Sequence, residues 1–439
     1  MDLEEWKIKH NGRRSYAHFD SKVSLDEVWK YISNPQNVSK HGFYPFIHYT
    51  LKFEKYNKSE GKALKEREIC YSAHIDRLIF QVYGFYLNQI YNAKADKEGI
   101  SDVAIAYRDN LGKNNIHFAK QAIDFIRKTE CSYIIVGDFT KFFDRLDHKY
   151  LKKMLKLLLN SDELPLDYYA VYKNITKYSM WDMESILMLN GLPNSVDGIK
   201  KLNGLTRVLP LEKFRIYKNQ YVKRHGEDFG IPQGSAISAI LSNIYMLDFD
   251  KNLKDYVLDN KGLYMRYSDD FIIVLPKRND KEFKKQYEYI SGIINSTPRL
   301  ELQQGKTKVF EYNDRTLISC NELVLSGVNN GINLLNYLGF TFDGKVVTIR
   351  DKTVTKYHYR MYRKLKTIVK NKGYSPKGKR ISCKNLYEKY SIKGSNTGKG
   401  NFITYVQRAE TIFGKNEAIN RGTKNHMQKI RRKLNLIKS

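Results

Sequence analysis

The chain has 439 residues, which is long enough for two or three compact units with their own hydrophobic cores. Its 76 Lys and Arg residues against 47 Asp and Glu give a net charge of +29, and with 33 Tyr and 21 Phe this composition suits phosphate backbones and unpaired bases. Four widely spaced cysteines support neither a zinc ribbon nor a disulfide framework, and no run approaches the ~20 apolar residues of a membrane span. Residues 1–6 lack a basic segment followed by an apolar stretch, so we expect a cytoplasmic protein with no membrane partner.

Three helical patterns precede residue 130. Ser24 begins a short capped helix that runs to Ile32. A longer helix is predicted from about Ile75 to Ile90, and another over residues 113–128, because apolar residues recur at three- and four-residue spacing in both. The N-terminal part of the chain is therefore expected to be largely helical.

The first strong strand pattern ends in an acid. Residues 132–138 read Ser-Tyr-Ile-Ile-Val-Gly-Asp, so Asp138 follows an apolar segment with high strand propensity. Residues 160–228 then form a long stretch with glycine punctuation and a basic run from Lys213 to Arg224. This stretch has the character of an insertion between two parts of one domain.

A glycine-containing loop precedes the next helical pattern. Residues 229–238 read Phe-Gly-Ile-Pro-Gln-Gly-Ser-Ala-Ile-Ser, and the glycines allow the backbone to approach a bound nucleotide. Ser235 is positioned to cap the helix that follows. An ordinary loop-to-helix junction would have a similar sequence. This segment therefore indicates a functional loop only because it lies between two acidic motifs.

The second acidic motif is the adjacent pair Asp269 and Asp270. It lies between two apolar runs, residues 263–267 and 271–275, which predicts a strand, a tight turn and a second strand. Neighbouring carboxylates repel each other unless a cation lies between them, and such oxygen ligands suit Mg²⁺. Taken alone, the aspartate pair could belong to an ordinary exposed hairpin turn. Taken with Asp138, the pair predicts the two-metal site of a phosphoryl-transfer enzyme.

Positive charge is concentrated at the C-terminus. From Arg350 onward there are 25 basic and 4 acidic residues, and residues 357–369 form an amphipathic basic helix. Few carboxylates follow Phe342, so a fused RNase H or endonuclease domain is not expected. The C-terminal region is therefore predicted to hold a nucleic-acid duplex.

In this order, the motifs resemble those of reverse transcriptases over roughly residues 40–345. The strand ending at Asp138, the Pro-Gln-Gly loop and the Tyr-Ser-Asp-Asp hairpin correspond to the palm motifs, although many relatives have Ala, Met or Cys in place of Ser268. The resemblance implies an α+β right-hand polymerase fold with fingers, an antiparallel palm sheet bearing the catalytic hairpin, and a mainly helical thumb. The implied divisions are an N-terminal extension and fingers (1–130), palm (131–160), a fingers/palm insertion (161–228), palm and primer grip (229–345), and a basic thumb and tail (346–439).

The resemblance also implies individual roles. Asp138, Phe139, Asp269 and Asp270 are the implied ligands of two Mg²⁺ ions, for which Mn²⁺ could substitute. Lys306 is the candidate general acid for the leaving pyrophosphate, on the strand that follows the palm helix, with Lys308 as the fallback. The implied nucleotide-binding residues are Lys65, Arg67, Arg108, Phe143, Gln233 and Gly234, and the implied primer grip includes Leu338, Gly339 and Phe340.

Phe143 bears on the choice of sugar. It lies five residues after Asp138, where reverse transcriptases place an aromatic ring that blocks a 2′-hydroxyl, so DNA synthesis is favoured. A core position without contact to nucleotide is the alternative. The implied substrates are deoxynucleoside triphosphates and a DNA primer or product.

Residues 41–47, 67–77 and 106–108 are similar to bacterial defence-associated reverse transcriptases of the abortive-infection and "unknown group" kind, and most similar to the type 2 enzymes. That resemblance implies a bacterial cytoplasmic enzyme that copies an associated structured non-coding RNA in antiphage immunity. Two alternatives remain open, namely a template-independent terminal transferase and a maturase-like RNA-binding scaffold. An oligomeric state is compatible with all of these hypotheses.

Overall fold

Helices and strands follow one another in short runs along the chain, and the last four α-helices follow the last strand. The computed structural model describes residues 2–57, 61–374, 378–381, 383–398 and 400–435. The α-helices are α1 (Leu3–His10), α2 (Leu25–Ile32), α3 (Pro35–Ser39), α4 (His74–Lys97), α5 (Asn115–Thr129), α6 (His148–Leu159), α7 (Leu166–Thr176), α8 (Met183–Leu189), α9 (Val196–Gly204), α10 (Leu211–Tyr221), α11 (Ser238–Tyr245), α12 (Leu247–Asp259), α13 (Asp280–Ser296), α14 (Asp351–Lys370), α15 (Lys384–Tyr390), α16 (Phe402–Phe413) and α17 (His426–Asn435). The strands are β1 (Phe46–Asn57), β2 (Gly61–Tyr71), β3 (Cys131–Asp138), β4 (Ser179–Asp182), β5 (Lys223–Arg224), β6 (Leu263–Tyr267), β7 (Asp270–Pro276), β8 (Lys308–Asn313), β9 (Thr316–Ser319), β10 (Leu335–Tyr337), β11 (Phe340–Phe342) and β12 (Val347–Ile349). Within the described ranges, no helix is long and apolar enough to cross a membrane.

The central sheet is antiparallel, with strand order β6-β7-β3-β8-β9. Because side chains alternate across a strand, Tyr133 and Ile135 of β3 enter one core while Ile134 and Val136 enter another on the opposite face. Helix α13 covers the first face, where Phe283 stacks on Tyr133 with ring centroids 4.0 Å apart. Helix α5 covers the second. Burial on both faces explains why residues 133–136 of β3 are all apolar.

The N-terminal sheet has the order β2-β1-β4-β5. Strands β1 and β2 form a long hairpin in regular register from Ile47 opposite Tyr71 to Asn57 opposite Gly61, and β4 runs parallel to β1. A separate core around Trp181 joins this sheet to α8, α9 and α10. The sequence analysis did not predict this hairpin. It did predict an insertion at residues 161–228, and this insertion contains β4, β5 and the helices around them.

The C-terminal region begins after a small antiparallel sheet, β10-β11-β12. Helix α14 confirms the predicted amphipathic helix and extends it to Asp351–Lys370. Its apolar side forms a core of its own with α15, α16 and α17 through Tyr357, Met361, Leu365, Ile368, Leu386, Ile403 and Ile430. Helix α16 also contributes Val406 and Ala409 to the core under α5, so this region is attached to the central sheet.

Most of the predicted helix positions are confirmed, but one predicted cap is wrong. Ser24 and Glu27 form the expected capping box at the start of α2, and α4 and α5 cover the predicted helical segments. Helix α11, however, begins at Ser238 rather than just after Ser235. Ser238 donates a hydrogen bond from Oγ to the Pro232 carbonyl over 2.8 Å, whereas the buried Ser235 hydroxyl has no partner in the described part of the chain.

Candidate active site

Strand pairing brings the predicted acids together at one end of the central sheet. Asp138, the last residue of β3, lies directly opposite Asp270, the first residue of β7. Asp269 lies in the turn before β7, and its carbonyl accepts a hydrogen bond of 3.3 Å from the Phe139 amide. The Phe139 side chain is buried, so only its backbone is placed to face this site.

The turn that carries Asp269 has an unfavourable backbone conformation. Ser268 has φ of 62°, a conformation that costs a residue with a Cβ atom and that glycine adopts more readily. Two contacts support it: Arg266 Nη1 donates to the Ser268 carbonyl over 2.9 Å, and the Tyr107 hydroxyl donates to Ser268 Oγ over 3.1 Å. The serine at this position therefore has a specific partner in this chain.

A buried ion pair anchors the same turn. The Arg266 and Asp250 side chains are both fully buried, with Nη2 and Oδ2 2.6 Å apart, and Tyr264 also donates to Asp250. Burial alone would lower the pKa of Arg266, but attraction to Asp250 raises it, so the guanidinium stays charged. Sequence reasoning missed this pair, although a charged residue within the apolar strand at 263–267 was a signal of it.

Burial and neighbouring charges shift the pKa values of two of the three acids. Loss of hydration and the charges of Asp269 and Asp138 together raise the pKa of Asp270 to about 6. Loss of hydration also raises the pKa of Asp138, and the ammonium groups of Lys306 and Lys65 oppose that rise. The region thus requires a positive counter-charge to keep its carboxylates ionised.

Lys306 supplies that counter-charge in this structure. Its Nζ donates a hydrogen bond to Asp138 Oδ2. Lys306 lies in the turn before β8, which begins at Lys308, so the prediction that a strand delivers it was wrong by two residues. The Asp138 carbonyl accepts from the Gln303 amide over 2.8 Å, which holds this turn against the end of β3.

The carboxylates suit a divalent cation in charge and in atom type. Three neighbouring acids, with raised pKa values at Asp138 and Asp270, match the preference of Mg²⁺ for oxygen ligands. As arranged here, with Lys306 on Asp138, no group of three His, Cys, Asp or Glu side chains among the described residues is placed to hold a metal ion. Asp138 would exchange its lysine partner for the cation on binding.

The Pro-Gln-Gly loop packs beside these acids. Gln233 Nε2 donates to Asp144 Oδ1 over 3.2 Å, and the Gln233 carbonyl accepts from the Cys70 amide over 3.0 Å. Gly234 has φ of 108°, and a Cβ atom there would come within 2.6 Å of the Cys70 carbonyl oxygen, so glycine is required. The loop therefore closes against β2 at a position where a larger residue would not fit.

Phe143 lies under the same loop. Its carbonyl accepts a hydrogen bond of 2.9 Å from the Ile231 amide, and its half-buried ring packs edge-on against Phe142 with centroids 5.6 Å apart. The backbone of Phe143 thus lies against the Pro-Gln-Gly loop, and its ring packs against the core. Contact of Phe143, Gln233 and Gly234 with nucleotide stays a prediction.

The three basic candidates differ in their surroundings. Lys65 and Arg67 lie on β2, and the Arg67 guanidinium is exposed, 5.7 Å from the centre of the Phe53 ring. Arg108 is buried, and its guanidinium donates to Asn92 Oδ1 over 2.8 Å and to Ser101 Oγ over 3.0 Å. Because its donors are used inside the fold, the expected phosphate contact of Arg108 is not supported.

The predicted primer grip forms a tight hairpin. Leu338 and Gly339 connect β10 to β11 with φ of 46° and 92°, and Phe340 is buried in the core under α5. Asn115 Nδ2 donates to the Leu338 carbonyl over 3.0 Å and fixes the tip of the hairpin to the start of α5. Tyr107, which supports the acidic turn, and Asn115 line one cavity of about 350 Å³. This cavity lies between the acidic turn and the hairpin.

A family model described as reverse transcriptase (RNA-dependent DNA polymerase) matches residues 87–342, which is more than half of the chain. The chain belongs to the reverse transcriptase family. Its fold is the right-hand polymerase fold that the sequence predicted, with the acids of the family motif at the end of the central sheet.

Two kinds of known protein are similar to this reverse transcriptase. Protein YkfC of Escherichia coli (strain K12) is 27% identical in a 114-residue alignment that covers 19% of this chain and 30% of the E. coli protein. Apo telomerase from Candida tropicalis, truncated from its C-terminal domain, aligns with a TM-score of 0.44 and 13% identity over 75% of this chain and 61% of the telomerase. Telomerase from Candida albicans with a fragment of telomeric RNA aligns with a TM-score of 0.42 and 13% identity over 94% of this chain and 64% of that telomerase. The chain spans less than two thirds of each of these proteins.

Proposed function

We propose that this protein is an RNA-directed DNA polymerase, a nucleotidyltransferase that extends a DNA primer along an RNA template. The observation that carries the proposal is the pairing of Asp138 with Asp270 beside Asp269, in a chain of the reverse transcriptase family. Electrostatic stabilisation at such a site is the main requirement of phosphoryl transfer. Lys65 on the neighbouring hairpin places positive charge near the same acids.

The reaction joins the primer 3′-oxygen to the α-phosphorus of a deoxynucleoside triphosphate, releases the proton of the 3′-hydroxyl to solvent and breaks the bond to pyrophosphate. Asp138, Asp269 and Asp270 would hold divalent cations, which when bound supply charge neutralisation for the attacking and leaving oxygens. Lys306 is the proposed general acid. Its ammonium, once separated from Asp138, would donate a proton to the departing pyrophosphate oxygen.

Phe143 supports the preference for deoxynucleotides. The support is its backbone hydrogen bond to Ile231 of the Pro-Gln-Gly loop; we propose that its ring would collide with a 2′-hydroxyl of the bound nucleotide. Arg67, exposed on β2, is the proposed contact for the triphosphate, because a guanidinium can donate two parallel hydrogen bonds to phosphate oxygens. Substrate selection would thus involve both the central sheet and the hairpin of β1 and β2.

Replacing one carboxylate tests the proposal. Asp269→Asn should abolish incorporation of deoxynucleotides with Mg²⁺, while RNA binding and the thermal unfolding profile stay close to wild type. Asp162→Asn makes the same chemical change at an exposed position outside the site and should leave incorporation unchanged. Sequencing the products on a defined RNA template separates templated copying from untemplated addition. Near-normal incorporation by Asp269→Asn would overturn the assignment of the acids.

The narrower biological proposal is copying of an associated structured RNA in bacterial antiphage defence, in the bacterial cytoplasm. Its support is the resemblance of residues 41–47, 67–77 and 106–108 to defence-associated reverse transcriptases. Sequencing of RNA and DNA that copurify with the protein should find one enriched RNA and its complementary DNA. A plaque assay with Asp269→Asn adds the second test, because protection that survives the substitution would instead favour an RNA-binding scaffold.

A further inference from the structure

Helix α10 belongs to the insertion, and its two sides differ in chemistry. None of its residues is fully buried. Phe214 and Tyr221 face inward, each with its ring centre 5.8 Å from that of Trp181. The outward side carries Lys213, Arg215 and Lys218, all exposed. The helix is therefore held by aromatic contacts on one side and presents cations on the other.

The charge around α10 is unbalanced. Residues 196–224 contain eight basic and two acidic residues. Lys223 pairs with Asp182 over 3.0 Å, whereas in the described part of the chain Lys213, Arg215 and Lys218 form no ion pair with a carboxylate. Three neighbouring exposed cations without neutralising partners create a local positive potential that attracts polyanions.

This surface continues toward the acids of the active site. Trp181 of β4 lies beside Ile47 of β1, and α10 packs on the face where both side chains lie. Side chains two residues apart share a face of a strand, so Leu51 and Phe53 lie on the Ile47 face. Both are exposed, by 45% and 41%.

The partner strand extends the same face. Arg67 lies opposite Leu51, and Lys65 lies opposite Phe53. Lys65 is close enough to Asp138 for its charge to lower the pKa of that acid. One face of the N-terminal sheet thus runs from the catalytic carboxylates, over apolar and cationic side chains, to α10.

We propose that α10 and this face bind the unpaired template RNA that lies ahead of the templating position. The inference rests on the proposed function, and it adds a specific site for the incoming strand. Surfaces that hold single-stranded nucleic acid combine cations for the backbone with flat or apolar groups for the bases. Here Lys213, Arg215 and Lys218 would contact phosphates, while Leu51 and Phe53 would contact bases.

Template overhang length provides the test. Primer–template duplexes with 5′ RNA overhangs of about two and about twenty nucleotides bracket the roughly 4–16 nucleotides that a surface for single strands accommodates. The test variant carries Lys213→Gln, Arg215→Gln and Lys218→Gln. The matched control carries Lys281→Gln, Lys284→Gln and Lys285→Gln, which removes the same charge from exposed positions on α13.

We expect the test variant to bind the long-overhang duplex roughly tenfold more weakly, with a log–log salt slope smaller by about 2, since each single-strand phosphate contact contributes about 0.7. Binding of the short-overhang duplex should stay as in wild type, and the α13 control should match wild type on both. Equal losses on the two duplexes, or no loss on the long one, would overturn the proposal. Unchanged RNA binding with loss of an acidic protein partner would also overturn it.

Binding and extension report on different proposals. If wild-type protein binds the long overhang through α10 but extends neither duplex, the polymerase assignment fails while the α10 surface stands as an RNA-binding site. If wild type extends both duplexes and the α10 variant is indistinguishable from it in binding and extension, the α10 proposal fails alone.

Discussion

The hydrogen bond from Tyr107 to Ser268 should set the position of Asp269. Ser268 adopts a left-handed backbone conformation, and the Tyr107 hydroxyl contacts its Oγ over 3.1 Å. Tyr107→Phe removes only that hydroxyl, and Ser268→Ala removes the acceptor. A neutral hydrogen bond contributes about 0.5–1.5 kcal/mol. If all of that free energy serves to hold the catalytic turn, each variant should incorporate nucleotide roughly two- to tenfold more slowly.

The assay is single-turnover incorporation of one deoxynucleotide, measured for both single variants and the double variant. Since both substitutions remove the same contact, the double variant should be no slower than the slower single variant. Tyr289→Phe is the matched control, because it removes a hydroxyl from an exposed tyrosine on α13. Rate losses that multiply in the double variant would refute the reasoning, as would a loss of the same size in the control.

Three further predictions follow from other parts of the structure. Phe143→Ala should raise ribonucleotide use by up to roughly 10²-fold in competition assays, since an apolar site rejects an added hydroxyl by about that factor; no change would show that Phe143 is only a core residue. Asp270 has a pKa of about 6 in the folded state against an ordinary 3.8, so the folded state binds this proton more tightly than the unfolded state does. The stability that the protonated carboxyl contributes is therefore lost as pH rises from 3.8 to about 6. In EDTA, Asp270→Asn should therefore melt at a higher temperature than wild type at neutral pH, and an unchanged or lower melting temperature would count against the shift. Replacing the exposed Lys356, Arg360 and Arg363 of α14 with Gln should reduce the salt slope of duplex binding by about 2.7, at about 0.9 per phosphate; an unchanged slope would mean that these charges are only solvated.

Sequence reasoning was most successful where a local pattern decides the structure. Continuous apolar residues before Asp138 fix a strand buried on both faces, and two apolar runs around Asp269 fix a hairpin. Strand pairing then brings the acids together without further information. The order of these motifs along the chain also predicted the family, which the matching family model confirms.

Sequence reasoning failed where particular side-chain contacts or exposure, rather than a periodic apolar pattern, decide the structure. Arg108 was predicted to contact phosphate, but its guanidinium is buried and donates to Asn92 and Ser101, which lie 16 and 7 residues before it in the chain, so that contact is not supported. Ser235 looked like a cap, yet Ser238 starts the helix and bonds back to Pro232. The hairpin of β1 and β2 was missed because much of it is exposed on both faces and has no continuous apolar pattern.

The second core of the central sheet has a consequence for synthesis of the protein. Val406, Ala409 and Ile419 share that core with Ile116 of α5 and Ile134 of β3, so partners nearly 300 residues apart must meet. Until the ribosome has released the later segment, the part of this core that Val406, Ala409 and Ile419 cover stays exposed. Contacts of such long sequence separation slow folding and prolong exposure of aggregation-prone surface. The nascent chain is therefore expected to depend on chaperones during translation, and the native fold should form only after the C-terminal helices have emerged.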